Sequence, residues 1–175
     1  MTDTIGRLRW YWAWQEERET AWLEQMSREG WHLEAYAFGW YRFRRGEPRD
    51  CLYRLDFDPY AGKRWDEYLG IFRDAGWEHV LRWGSWHYFR AEKGKAFSEE
   101  IYTDRESRIA KYRRLLAVIA LTMILPATAL WPTWRSLAGG AGVFFIVLQG
   151  IRILILGVGI LAAVRLLSLI GRLRK

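Results

Sequence analysis

The chain has 175 residues, 51% of them hydrophobic, with twelve tryptophans, a single cysteine and a formal net charge of +7. This is enough for one compact domain with an appendage, and one cysteine excludes an internal disulfide while being compatible with a reducing compartment. The charge is divided: residues 1–100 hold 16 Lys and Arg against 18 Asp and Glu, and residues 101–175 hold 11 against 2, which argues against a basic nucleic-acid-binding face on the N-terminal part.

Taken in chain order, Met1 to Trp14 lacks a basic segment followed by an apolar one, so no cleaved signal peptide is expected. Alternation predicts a first strand over Leu8–Trp14, with Trp10, Trp12 and Trp14 on the face of Leu8 and Tyr11 opposite. Trp22, Leu23 and Met26 have the spacing of a helix face, and Gly30 suits the left-handed position that ends a helix. Strands are predicted over Trp31–Phe38 and Trp40–Arg45, with Gly39 at the turn. A strand follows over Cys51–Phe57. Trp65, Tyr68, Leu69, Phe72 and Ala75 then mark a second helix, ended by Gly76. Strands Trp77–Trp83 and Trp86–Arg90 flank a Gly84-Ser85 turn.

This order is a duplication. At an offset of 46 residues Trp31 falls on Trp77, Trp22 on Tyr68, Met26 on Phe72, Gly30 on Gly76, Trp40 on Trp86, Phe43 on Phe89 and Arg44 on Arg90. The expected fold is α+β: a duplicated strand–helix–strand–strand domain (repeats about 8–46 and 51–92) with a mainly antiparallel sheet, filling residues 1–103 as a soluble cytoplasmic domain. Two helices are expected over one face of that sheet. The element order resembles GyrI-like ligand-binding domains.

Thr103-Asp104-Arg105-Glu106 fits a capping box opening a helical stalk over 104–114. Leu115 to Trp131 is free of charge and spans about 25 Å as a helix, long enough with Pro132 to Trp134 for a first transmembrane helix over 115–134. Pro126 inside it is tolerated in a membrane. An outer loop is expected over 135–140 and a second transmembrane helix over 141–164, where one Arg152 is outweighed by the surrounding Val, Leu, Ile and Phe. Residues 165–175 form a basic tail. Arg105, Arg108, Lys111, Arg113 and Arg114 precede the first span, and Arg165, Arg172, Arg174 and Lys175 follow the second. Arg135 alone lies in the loop, so both termini are expected to be cytoplasmic in a multi-pass protein of the inner membrane. Trp131 and Trp134 would lie at the outer interface.

The stretches WLEQMSREGWHL, YRLDF at 53–57, FRDAGWEHV, WHYFRAEKG and YTDRESRIAKYRRL, covering most of residues 10–116, resemble a bacterial family known as domain of unknown function number 2812. The resemblance implies a membrane-anchored domain, often encoded beside PadR-type transcriptional regulators, and no activity.

No residue pattern here carries catalysis. His32, His79 and His87 lack metal-ligand spacing, Cys51 reads as an inert thiol, and no nucleotide or nucleophile motif occurs, so neither an enzyme nor a metal or other cofactor is expected. The aromatic excess is the informative feature. Trp31, Leu33, Ala35 and Ala37 on one face of a strand, with Tyr36 and Phe38 on the other, leave rings for which two helices on one sheet face provide no cover. Those rings either fill the core or form a recognition surface of Tyr11, Tyr36, Phe38, Trp83 and Trp86, with Glu34, Asp56 and Glu78 as candidate carboxylates. Arg152 and Gln149 are the intramembrane polar pair. The expectation is a membrane-tethered sensory or regulatory module taking an apolar or cationic small molecule or a protein partner. The alternative is a non-catalytic structural or scaffold subunit of a membrane complex. A lipid bilayer is the expected partner, a homo-oligomer or a regulatory membrane protein a compatible one, and nucleic acid is not expected.

Overall fold

A carboxylate-rich first turn (Glu16, Glu17, Glu19) and Arg28 in the last turn suit the dipole of the first helix, α1, which runs Glu16–Arg28. Its apolar stripe begins one turn earlier than Trp22: Glu19, Trp22, Leu23 and Met26 are all buried. The computed structural model describes residues 3–98, 101, 105–128 and 143–174. These form two compact units, Met1–Lys111 and Tyr112–Lys175.

The first unit is α+β. Strands β1 (Thr4–Leu8), β2 (Trp31–Ala37) and β3 (Trp40–Arg45) make one antiparallel sheet in the order β1-β3-β2. Strands β4 (Cys51–Phe57), β5 (Glu78–Trp83) and β6 (Trp86–Glu92) make a second in the order β4-β6-β5. Helix α2 (Trp65–Asp74) lies between β4 and β5 in sequence. There are two three-stranded sheets where a single one was expected. They approach at the neighbouring edge strands β2 and β5, with no pairing between those strands among the described residues.

The helices do not share one sheet face. Helix α1 packs against β2 of its own sheet and β4 of the other, so that Trp22, Leu23 and Met26 meet Tyr41 and Phe43 on one side and Cys51, Tyr53 and Leu55 on the other. Helix α2 covers the opposite face of the second sheet, where Tyr68 and Phe72 meet Leu52 and Phe89. Strand β4 is therefore buried along both faces. Full burial of each large apolar side chain contributes about 1.5–3 kcal/mol, supplied by Tyr53 and Leu55 on the α1 face and by Leu52 on the α2 face. The outer face of the first sheet instead carries Arg42 and Arg44 paired with Glu34.

The duplication is visible in detail. Gly30 and Gly76 both follow a helix end with φ of 81° and 86°. A bulge falls between Leu33 and Ala35 in β2 and again between His79 and Leu81 in β5, at the same 46-residue offset. The bulge also corrects the faces expected from alternation. The extra residue returns Tyr36 to the side of Leu33, so both pack on the core.

The first strand departs from its expected position. It is Thr4–Leu8, and residues 10–14 are not strand. Thr4 pairs with Arg44, whereas Tyr53 pairs with Arg90, so the strands are offset by 49 residues and the remainder of the repeat by 46. The cause is local. The ring of Trp40 lies against Gly6, where a Cβ would collide. Beyond Leu8 the chain turns, with Trp12 N–H donating to Gln15 Oε1 at 3.0 Å and Gln15 N–H to Trp12 C=O at 2.7 Å. The freed indoles pack on each other, Trp12 stacked on Trp14 at 5.2 Å and edge-on to Trp10 at 5.9 Å.

The outer edge of β4 is closed by side chains. Glu24 accepts Tyr53 N–H at 3.2 Å, Arg54 donates to Tyr53 C=O at 2.7 Å, and Lys111 Nζ donates to Leu55 C=O at 2.8 Å. These bonds satisfy groups that would otherwise invite another strand.

Helix α3 runs Arg105–Thr128 with Pro126 inside it, and α4 runs Val143–Arg174. In the second unit Met123 of α3 packs against Gly159 of α4. Among the described residues one segment, Ile146–Leu173, is long and apolar enough to cross a membrane, with a mean hydropathy of 2.6 over an 18-residue stretch. It extends beyond the expected end at 164, because the helix continues through the basic residues. Thr103 and Asp104 of the capping box, residues 129–134 with Trp131 and Trp134, and the loop at 135–140 lie outside the described residues.

Candidate functional site

Five parts of the first unit surround a cleft of about 210 Å³. The turn after β1 supplies Trp10, Tyr11, Trp12 and Ala13; the first turn of α1 supplies Glu16 and Glu19. Tyr36 of β2 and Leu55 of β4 lie between them and the β5–β6 hairpin, which contributes Trp83, Trp86 and Tyr88. Among the described residues every charged side chain lining the cleft is acidic.

Glu19 is the anchor. It sits on the apolar face of α1, is 6% exposed, and accepts the hydroxyls of Tyr41 at 2.8 Å and Tyr88 at 2.6 Å, both on Oε1. Burial raises its pKa, against the pull of the two hydroxyls, and Glu16 adds to the rise. Burial, and after it the Glu19 charge, drives both phenols far above their ordinary value, so they act only as neutral donors. Tyr36 is also raised by burial.

Glu16 is held differently. Lys111 Nζ lies 2.7 Å and 2.6 Å from its two oxygens and donates a third bond to Leu55 C=O, with the lysine side chain 5% exposed. All three ammonium protons are thereby used.

The aromatic walls are tied to the core as well as to the cleft. Tyr11, Tyr36 and Trp86 rest on the core cluster. Tyr36 meets Trp83 edge-on at 5.2 Å, and Phe57 lies 5.1 Å from Trp86. Phe38 is outside the lining but packs on Trp83 at 5.3 Å. It is 74% exposed with φ of 47°, a left-handed conformation that is unusual for a bulky residue. With Gly39 also at positive φ, the β2–β3 hairpin closes as a type I′ turn.

The structure thus brings Tyr11, Tyr36, Trp83 and Trp86 together, while the carboxylates expected beside them are elsewhere. Glu34 lies outward with Arg42 and Arg44 because the bulge turns it from the core. Asp56 is buried on the α2 side of β4, accepting the Tyr68 hydroxyl at 2.8 Å. Glu78 pairs with Arg90 at 2.7 Å. Arg152 donates to Gln149 at 3.4 Å within α4. Among the described residues no three His, Cys, Asp or Glu side chains are grouped to hold a metal ion. Cys51 is buried in the core. Glu16, Glu19 and Tyr88 were not singled out in the sequence, and Lys111 was read there only as a basic residue before the first span. Glu19 was legible: it occupies a core position of the α1 stripe, where the second copy places Trp65 at the 46-residue offset.

The family described as Protein of unknown function (DUF2812) matches residues 15–124. The chain belongs to that family. The match includes both acidic cleft residues, the hairpin wall and Lys111, and begins after the Trp10–Ala13 wall. No curated protein and no solved structure matches the chain.

Proposed function

We propose that this member of the family is a non-catalytic, membrane-tethered sensory or regulatory module whose cleft binds a flat apolar cation. One observation carries the reading: an aromatic-walled cleft in which, among the described residues, each charged lining residue is a carboxylate. Indole and phenol faces attract cations, more strongly when water is excluded, and Glu19 supplies a counter-charge at the base. The volume of about 210 Å³ is below the roughly 300–1,000 Å³ typical of drug-sized ligands, which favours a small fused-ring compound. A scaffold role, with a protein partner over the exposed Leu8 and Trp40 of the first sheet, is the second reading.

The membrane arrangement completes the proposal. The helix Ile146–Leu173 would be one span and residues 115–134 another, with both termini in the cytoplasm of the inner membrane. Support comes from the basic residues at 105–114 and 165–175 against Arg135 alone in the segment 135–140 that joins the spans.

The test is titration of the full chain in detergent micelles with N-methylquinolinium and with its uncharged analogue 2-naphthalenemethanol, read by tryptophan quenching and calorimetry. Saturable binding that prefers the cation supports the reading. Equal affinity for the two refutes a cation site, and no binding of either refutes the ligand reading.

A further inference from the structure

The cleft holds, in Glu16, the carboxylate that fastens the first turns of α3, up to Lys111, within the first unit. Glu16 lines the cleft, and both of its oxygens are occupied by Lys111 of α3. Leu55, whose carbonyl takes the third Lys111 proton, lines the same cleft. Lys111 is two turns into α3, is almost wholly buried, and is the last residue of the first unit. A cation entering the cleft therefore meets a carboxylate already neutralised by another cation.

From this the geometry points to a competitive readout: a cation bound in the cleft displaces Lys111 from Glu16 and loosens the first turns of α3. The inference rests on the cleft being a cation site and adds how its occupancy is read. Its physical basis is that Glu19 already accepts two tyrosine hydroxyls on Oε1, so a ligand cation held by its charge draws on Glu16 as well, and a carboxylate shared by two buried cations neutralises neither fully. Lys111 cannot move alone, because a buried ammonium that loses its carboxylate partner is strongly disfavoured. Release of the side chain therefore takes with it the helix turns that hold it. Glu19 is not part of this exchange, since its Oε1 is committed to two tyrosines and its charge remains to retain the ligand.

Linkage makes the effect reciprocal. If the ligand weakens the Lys111 contact, removing Lys111 must strengthen the ligand, by a factor in the range of about 5–150 typical of such coupling. A purely structural lysine has no such signature, because its loss would disorder the site and weaken binding.

The experiment uses the full chain in micelles. Amide hydrogen exchange over residues 105–111 is measured with and without saturating N-methylquinolinium, and the affinities of Lys111→Met and Glu16→Gln are compared with wild type. The expected result is faster exchange at 105–111 on binding, tighter binding of the quinolinium by Lys111→Met, and weaker binding by Glu16→Gln. The affinity of 2-naphthalenemethanol should be unchanged in Lys111→Met. Cation binding with unchanged exchange at 105–111, or with Lys111→Met at or below wild-type affinity, overturns the readout and leaves the cleft reading standing. Absence of cation binding overturns both. Should Lys111→Met not fold, Lys111→Gln and the wild-type exchange measurement decide the matter.

Discussion

Replacing Glu19 tests the base of the cleft most directly. Tyr41 and Tyr88 are 0% and 2% exposed, and both hydroxyls donate to this carboxylate. Glu19→Leu would leave two buried hydroxyls without their acceptor, at about 1–3 kcal/mol each, hence about 2–6 kcal/mol together, reduced by relief of burying an acid. Glu19→Gln keeps an acceptor oxygen but exchanges charge-assisted bonds for neutral ones, a loss of roughly 1 kcal/mol per bond that the removed desolvation cost offsets. The expected order of stability is therefore wild type close to Glu19→Gln, with Glu19→Leu well below. Adding Tyr41→Phe and Tyr88→Phe to Glu19→Leu should recover most of the loss, because apolar groups then replace both partners. Denaturant unfolding followed by near-ultraviolet circular dichroism measures each difference. Glu19→Leu as stable as Glu19→Gln would refute the assignment of this carboxylate as the shared acceptor. Binding adds a second check. The pKa of Glu19 is raised by burial, a bound cation favours its charged form, and Glu16, Tyr11, Tyr36, Tyr41 and Tyr88 are the titratable groups around it. Quinolinium affinity should then rise with pH through that raised value, and the rise should disappear in Glu19→Gln.

Four further outcomes follow from individual residues. At Gly30 a Cβ would meet Gly46 C=O at 2.7 Å, and at Gly76 Lys95 C=O at 2.8 Å, both at positive φ; valine at either should cost more than about 1 kcal/mol in unfolding experiments. The pKa of His79 is lowered from 6.5 to about 4, chiefly by burial and then by His87 and Arg82. The unfolded chain takes up its proton first, so the His79 contribution to stability is present above pH 6.5 and is lost as the pH falls to about 4. Glu19 opposes it over part of that range, and His79→Phe should flatten the acid loss of stability in a pH series. Phe38→Asn should stabilise the chain by about 1 kcal/mol through relief of the left-handed strain and, by removing the ring against Trp83, weaken quinolinium binding; a destabilised variant would show that the contact outweighs the strain. Reporter fusions at both ends should give cytoplasmic signals, and an external signal from either end would refute the proposed topology.

The sequence by itself determined the repeating parts of this protein. Helix faces, glycine helix ends and hairpin turns depend on neighbours a few residues away. The 46-residue correspondence therefore showed α1 and α2 with the strands that follow them, and even the paired bulges lie at that spacing. The apolar run after Val143 was similarly legible, because its hydropathy requires no partner. Tertiary structure decided what depends on distant contacts. Only the packing of Trp40 across Gly6 and the turn at Trp12–Gln15 moved β1 away from the indoles. Only the bulge at Leu33/Ala35 placed Tyr36 with the core and Glu34 away from it, since one extra residue inverts every later side chain on a strand. The site itself was divided in the same way. Its rings were visible as an excess of aromatics, but its charges were not, because a carboxylate has its meaning from what surrounds it. Glu19 reads as one acid among several in a charged first turn until Tyr41 and Tyr88 close over it, and Lys111 reads as one of many basic residues before a membrane segment until the fold brings it 95 positions back along the chain to Glu16.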